Sequence, residues 1–143
     1  TVARTLDMTR DVSDQIVVVY DTTFPEFAAL LKRAAHIAET RGYVKTIIGR
    51  RARFPDKTWC HKALNYIIQG SAADIMKQKL VELHKARKAT GFIMRQTVHD
   101  EVDGDAQDPD TAEIVKAILN FQSFDTKVPI MWNVKTGRDW SQC

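Results

Sequence analysis

Between Ala63 and Leu83 the chain reads ALNYIIQGSAADIMKQKLVEL, and this stretch constrains the fold more than any other. Leu64, Ile67, Ile68, Ala72, Ile75, Met76, Leu80 and Leu83 return at helical spacing, so the pattern predicts one long helix with an apolar stripe. A stripe of that length is stable only with other elements laid along it. In its middle stands Gly70-Ser71-Ala72-Ala73. Small residues there lower helix propensity, but they let another backbone or a ligand come close.

The flanking segments supply the partners. Thr23-Phe24-Pro25-Glu26 opens a helix with Pro in its first turn, and Phe27, Leu30, Leu31, Ala34, Ala35 and Ala38 share one face before Arg41-Gly42 ends it. Tyr43–Ile48 reads as a strand, Gly49 as a turn, and 50–54 as a returning strand stopped by Pro55-Asp56. Phe92–Val98 and the residues from Glu101 read as a second hairpin with acids at its tip. Thr111–Leu119 predicts a helix, and Val128–Val134 a final strand with Pro129 at an edge. One segment is ambiguous. Ser13-Asp14-Gln15 looks like a helix start, yet Ile16-Val17-Val18-Val19-Tyr20 favours a strand on propensity. The order predicts an α+β fold, with helices packed on a small antiparallel sheet.

With 143 residues and 44% hydrophobic content, the chain can build one ordinary core, as one domain or part of one. No apolar run is long enough to span a membrane and no signal-peptide pattern opens the chain. Thr1 in place of Met fits a chain cut from something longer, processed or trimmed. Cys60 and Cys143 form no CxxC pair, and two free thiols are the plainer reading. His36, His61 and His84 show no metal-ligand spacing. A net charge of +3 is too mild to establish a polyanion partner, but its distribution says more. Lys45, Arg50, Arg51, Arg53, Lys57 and Lys62 are opposed within their span by Asp56 alone, and acids gather between Asp100 and Asp110. A phosphate site beside a metal site fits this pattern; so do two solvated faces.

The acidic tip, QTVHDEVD over residues 96–103, is the chemically richest motif. Carboxylates at a tight turn offer hard oxygen ligands to a divalent ion. A calcium loop is a rival reading: His99, Glu101, Asp103, Gly104 and Asp110 fall on an EF-hand template, but His is a poor first ligand and the preceding segment is a poor helix. A plain acidic turn is the default for such residues on their own.

They occur in company. RGYVKTIIGRRARFPD, HKALNYIIQGSAADIMKQKL and QTVHDEVD follow one another, and Gly137-Arg138-Asp139-Trp140 closes the chain. This combination resembles the C-terminal part of family A DNA polymerases, the family of bacterial DNA polymerase I and related phage enzymes, over nearly all of the chain. The resemblance implies the C-terminal part of a polymerase palm (43–143) with adjoining fingers helices (1–42), and it places a helix at Ser13–Tyr20. It implies that Asp100 binds the catalytic metal, with Glu101 as an auxiliary, and that His99 touches the primer end. Asn65 and Gln69, four apart on one helix face, would lie along the minor groove of primer-template DNA. Arg50, Arg51 and Arg53 would hold phosphates, and His61 stands where many members place a primer-contacting Arg. Mg²⁺ is the implied cofactor, in a two-metal site completed by residues outside this chain.

Departures from the family sharpen the expectation. Asp103 replaces a commonly apolar residue, which predicts a more exposed second strand. The family's first catalytic aspartate and the fingers helix that binds the incoming nucleotide have no counterpart in the sequence. The chain thus reads as a C-terminal fragment or split subunit of a template-directed DNA polymerase, joined to an N-terminal polymerase fragment that binds most of the deoxynucleoside triphosphate. Thr1 also suits a residue following an intein. The expected location is the cytoplasm of a bacterial or phage-infected cell, or an organelle. A non-catalytic nucleic-acid-binding module keeping the palm fold is the competing reading.

Overall fold

The computed structural model describes Thr5 and residues 7–142. The expectations about Thr1 and Cys143 fall outside them. Helices α1 (Arg10–Thr23) and α2 (Pro25–Arg41) lead into a short hairpin, β1 (Tyr43–Lys45) and β2 (Arg51–Arg53). A 3-10 turn (Lys57–Lys62) passes directly into the long helix α3 (Ala63–Thr90). A second hairpin, β3 (Ile93–Val98) and β4 (Glu101–Asp105), is followed by α4 (Pro109–Asn120), and a 3-10 turn spans Trp140–Gln142. The fold is α+β as expected, with its antiparallel sheet divided into two separate two-stranded hairpins. The described chain forms two compact units, one through Ser71 and one from Ala72, and α3 runs through the boundary. No helix among the described residues is long and apolar enough to cross a membrane.

In the first unit, the ambiguous segment is helical. Intrinsic preferences differ by less than about 1 kcal/mol per residue, so tertiary packing outweighs them. Here Tyr20 packs its ring against Phe24 (5.1 Å between centroids) and edge-on against Phe27 (6.0 Å), tying α1 to α2. The helix begins three residues before the expected Ser13: Thr9 takes the N-cap position, while Ser13 is buried inside the helix. Val12, Ile16, Val17, Val18 and Val19 remain exposed along α1.

The unit's core joins Ala34 and Ala38 of α2, Val44 of β1, Phe54, Cys60 and the first turn of α3, Ala63 and Leu64. Cys60 is a free, buried thiol; burial, with Glu39 nearby, pushes its pKa above the ordinary range.

The purpose of the small residues in α3 is now visible. A Cβ on Gly70 would lie 2.9 Å from Thr46 Cγ2. The tip of the first hairpin sits on this notch: Ile47 N donates to Ser71 Oγ (3.0 Å), and the Arg50 guanidinium donates to Gly70 O (3.1 Å). The first strand stops at Lys45 because Thr46 turns inward; its hydroxyl accepts from Arg50 N at 3.2 Å and its side chain is buried. The stripe on α3 is narrower than its periodicity suggests. Ile68 is 56% exposed, while Asp74 and Lys79 are buried.

The second unit's core is Leu83, Phe92, Val115 and Leu119, with Met94, Val102, Trp132 and Val134 packed around it. Lys79 is its polar anchor. Its ammonium donates to Glu82 Oε2 (2.8 Å), Ser123 Oγ (3.1 Å) and the carbonyls of Ile118 and Phe121 at the end of α4. That is the position where a cation best complements a helix terminus. Burial raises the Glu82 pKa, but hydrogen bonds from Lys79, Ser123 and Gln78 outweigh it, and the carboxyl sits below its ordinary value.

The expected final strand does not form. Residues 128–134 have no strand partner among the described residues; instead the Asn120 side-chain amide bonds the Trp132 backbone in both directions, at 2.8 and 2.9 Å. One side-chain amide thus satisfies the pair of backbone groups that a neighbouring strand would otherwise serve.

Two outcomes test this architecture. A Cβ on Gly104 would lie 2.5 Å from both Ile93 O and the Phe92 ring. Gly104→Ala should therefore cost about 1–3 kcal/mol in urea unfolding; an unchanged midpoint would contradict the packing. Because the Glu82 pKa is depressed in the fold, its contribution is present above the ordinary value of 4.5 and is lost as pH falls through the folded value. Glu82→Gln should destabilise the chain by about 3 kcal/mol at pH 7 by leaving Lys79 buried without its counter-charge. The gap to the parent should narrow as pH falls below 4.5 and through the lower folded value, as read by unfolding across an acid pH series.

Candidate nucleic-acid interface and acidic turn

The pairing of the first hairpin sorts its side chains. Tyr43 faces Arg53, Val44 faces Ala52, and Lys45 faces Arg51. Paired residues share a face, so Val44 and Ala52 turn to the core, while Tyr43, Lys45, Arg51 and Arg53 line the other side. Arg51 stacks on the Tyr43 ring, with its guanidinium carbon 4.6 Å from the centroid. Both Arg51 and Arg53 are exposed. Arg50 stands apart, because it braces the hairpin tip on Gly70 O.

Asn65 and Gln69 project from the exposed side of α3, and Ile68 is exposed with them. Their polar ends are open to a partner, and the buried neighbours Ala63 and Leu64 hold this part of the helix in place. His61 precedes the helix. Its Nδ1 lies 2.7 Å from Thr58 O, and since a carbonyl only accepts, Nδ1 carries the proton and Nε2 is left as the outward nitrogen.

In the second unit, β3 and β4 pair antiparallel from Ile93↔Asp105 to Val98↔Glu101, with an irregularity between Met94 and Gln96. Only His99 and Asp100 remain for the turn. His99 adopts φ 53°, a left-handed conformation normally left to glycine. Asp100 and Glu101 are both exposed at this tip. Because β3 precedes His99, the helix–loop–helix frame of a calcium loop is ruled out. Among the described residues, no group of three or more His, Cys, Asp or Glu side chains is placed to hold a metal ion.

Asp103 corrects one expectation. It is partly buried rather than exposed, and its Oδ2 is buried with no hydrogen-bond partner. In the hairpin register Asp103 pairs with Gln96, next to the irregularity.

A basic hairpin, a helix with exposed amides and a strained two-residue HD turn are thus placed by one chain. The family model for DNA polymerase family A matches residues 1–142. The chain belongs to DNA polymerase family A. Among its relatives, the thermostable DNA polymerase I of Thermus filiformis is 34% identical over 133 residues, covering 85% of this chain. DNA polymerase I of Chloroflexus aurantiacus is 28% identical over 153 residues, covering 98% of it. The chain spans about a sixth of these relatives, 16% of each. A solved structure, the POL domain of Pol1 from M. smegmatis in complex with DNA primer-template and dNTP, superposes with a TM-score of 0.71 at 26% identity. The match covers 82% of this chain and 23% of that one.

Sequence reasoning had no access to the backbone strain at His99 or to the Tyr43–Arg51 stack. The first has no signal in the sequence. The second follows from strand register once the hairpin is assumed, because Tyr43 and Arg51 then share a face.

In this family A chain, His99→Gly should relieve the turn and raise stability by up to about 1 kcal/mol. Chemical unfolding measures it; a loss of stability would show that His99 is held by contacts and not merely tolerated.

Proposed function

We propose that this chain is the C-terminal portion of a template-directed DNA polymerase, a nucleotidyltransferase, incomplete by itself. It contributes primer-template contacts and one metal-binding carboxylate. The observation that carries the reading is the β3–β4 turn, in which a strained His99 is followed by two exposed carboxylates in a chain of this family. A residue held at an unfavourable φ costs stability, and such residues concentrate at functional sites.

Asp100 is the principal metal ligand in this reading, Glu101 its auxiliary, and His99 the contact to the primer end. Two adjacent carboxylates suit Mg²⁺, which typically takes one or two protein carboxylates together with substrate phosphates. Bound there, the ion would stabilise charge on the transferring phosphoryl group. Further ligands, and most contacts to the deoxynucleoside triphosphate, belong to the rest of the polymerase. Arg51 and Arg53 hold DNA phosphates, with Arg50 positioning the hairpin beneath them. Asn65 and Gln69 track the minor groove, where acceptors common to all base pairs let a polar side chain check pair shape without reading sequence. His61 contacts the primer strand. The exposed apolar side of α1 supports a chain that works against further protein, such as an N-terminal polymerase fragment. The matched relatives are bacterial DNA polymerases, and a cytoplasmic setting follows from the same reading.

The test is a chimera in which this chain replaces its matched stretch in the Thermus filiformis polymerase, beside the isolated chain. The isolated chain should extend no primer, because half a site positions nothing. In the chimera, Asp100→Asn should cut single-turnover extension by at least about a hundredfold while DNA affinity is retained, and Glu101→Gln should cost less. Arg51→Ala should weaken DNA binding evenly across sequences and reduce its salt slope by about one. Near-normal extension by the Asp100→Asn chimera would leave the acidic tip as a turn and favour a non-catalytic nucleic-acid-binding module.

A further inference from the structure

The 3-10 turn Lys57–Lys62 carries an arrangement that the contacts above leave unused. A 3-10 helix repeats every three residues, so side chains at i and i+3 eclipse. Trp59 and Lys62 are such a pair, and the Lys62 ammonium sits 3.9 Å from the centroid of the indole. Trp59 is nevertheless 48% exposed. An indole is a large apolar body that normally finds cover, and here its only stacking neighbour among the described residues is a cation.

The base beneath it is firm. Cys60, the next residue, is 1% exposed and belongs to the core with Ala38, Val44 and Phe54. Asp56 caps the turn by accepting from Thr58 N at 2.8 Å, and the His61 ring closes it on Thr58 O. That hydrogen bond from the Thr58 backbone also lowers the Asp56 pKa. The core therefore holds the turn while the indole stays outside. The one acid between Lys45 and Lys62 is tied to the turn's own backbone, whereas Lys57 and Lys62 add positive charge on either side of Trp59.

We propose that Trp59 and Lys62 form a stacking platform for an unpaired nucleotide of single-stranded DNA, the base lying on the indole and its phosphate meeting Lys62 or Lys57. The occupant follows from the chemistry: Lys62 covers one face of the indole, the surface that stays exposed can stack any base, and the adjacent cations need an anion that a stacked nucleotide brings with it. The platform's two residues are distinct from the duplex contacts given to β2, α3 and His61 of the same turn, and the platform rests on the reading of this chain as part of a DNA polymerase.

Two probes separate the ideas: an oligothymidylate of twelve residues, and a blunt duplex of equal length. Anisotropy of labelled DNA gives affinity, and tryptophan emission reports stacking. The parent chain should bind both, with emission quenched by the oligothymidylate. Trp59→Ala should weaken oligothymidylate binding by roughly tenfold or more and leave the duplex unaffected. Trp59→Phe should restore most of the affinity, while the quenching disappears with the indole. Unfolding midpoints of both variants, expected near the parent's for a half-exposed side chain, verify the fold. Equal losses on both probes, or no loss on the single strand, overturn the platform. If the parent binds the duplex but not the oligothymidylate, the platform alone fails; if it binds neither, the DNA contacts proposed for this chain fail with it.

Discussion

One hydroxyl organises the first unit. Ser71 Oγ donates to Ile67 O at 2.6 Å along its own helix and accepts from Ile47 N at 3.0 Å. The second bond matters more, because Ile47 N belongs to a hairpin tip that has left its strand ladder and needs an acceptor. Gly70 provides the clearance for it, and Arg50 closes the other side of the tip. The seat fixes the hairpin on α3, and the hairpin's register then turns Lys45, Arg51 and Arg53 away from the core. The basic face is thus a consequence of how closely two backbones approach.

The second unit uses a buried ion where the first uses a notch. Lys79 gathers the end of α4 and the Ser123 segment around one ammonium, and Glu82 balances its charge. An apolar residue at this position would take the charged donor from the Ile118 and Phe121 carbonyls, leaving them only the longer bonds from Phe121 N (3.3 Å) and Ser123 Oγ (3.5 Å). Phe92, just ahead of β3, belongs to the core of the same unit, and Met94 and Val102 of the second hairpin pack against it, so the hairpin that carries the acidic turn is tied to that core.

Periodicity made the long helix, α2 and both hairpins legible, because each has a core face that repeats at its own spacing. Gly70-Ser71 was legible as a place of close approach, though not what approaches it. Other features depend on contacts that residue preferences do not report. The β-branched run of α1 favours a strand locally, yet it is helical, with Tyr20 at its end packed on Phe24 and Phe27. Residues 128–134 have strand composition, but Asn120 supplies the hydrogen bonds a strand would have made. Ile68 falls on the apolar stripe by spacing yet lies exposed, because the elements covering α3 are narrower than the stripe. In the candidate site, the residue types could be read from the motif, whereas the φ of His99 could not, since strain belongs to the closed hairpin and not to any residue order.

That φ also governs how the turn can drift. At a left-handed position, β-branched and bulky residues are nearly excluded, while glycine, asparagine, aspartate and histidine are the ones commonly found. Of these, histidine alone brings a ring that can both stack and donate a hydrogen bond near neutral pH. The two-residue loop therefore filters substitutions: most residues at this position would close the hairpin poorly, and the few that close it well give up the imidazole.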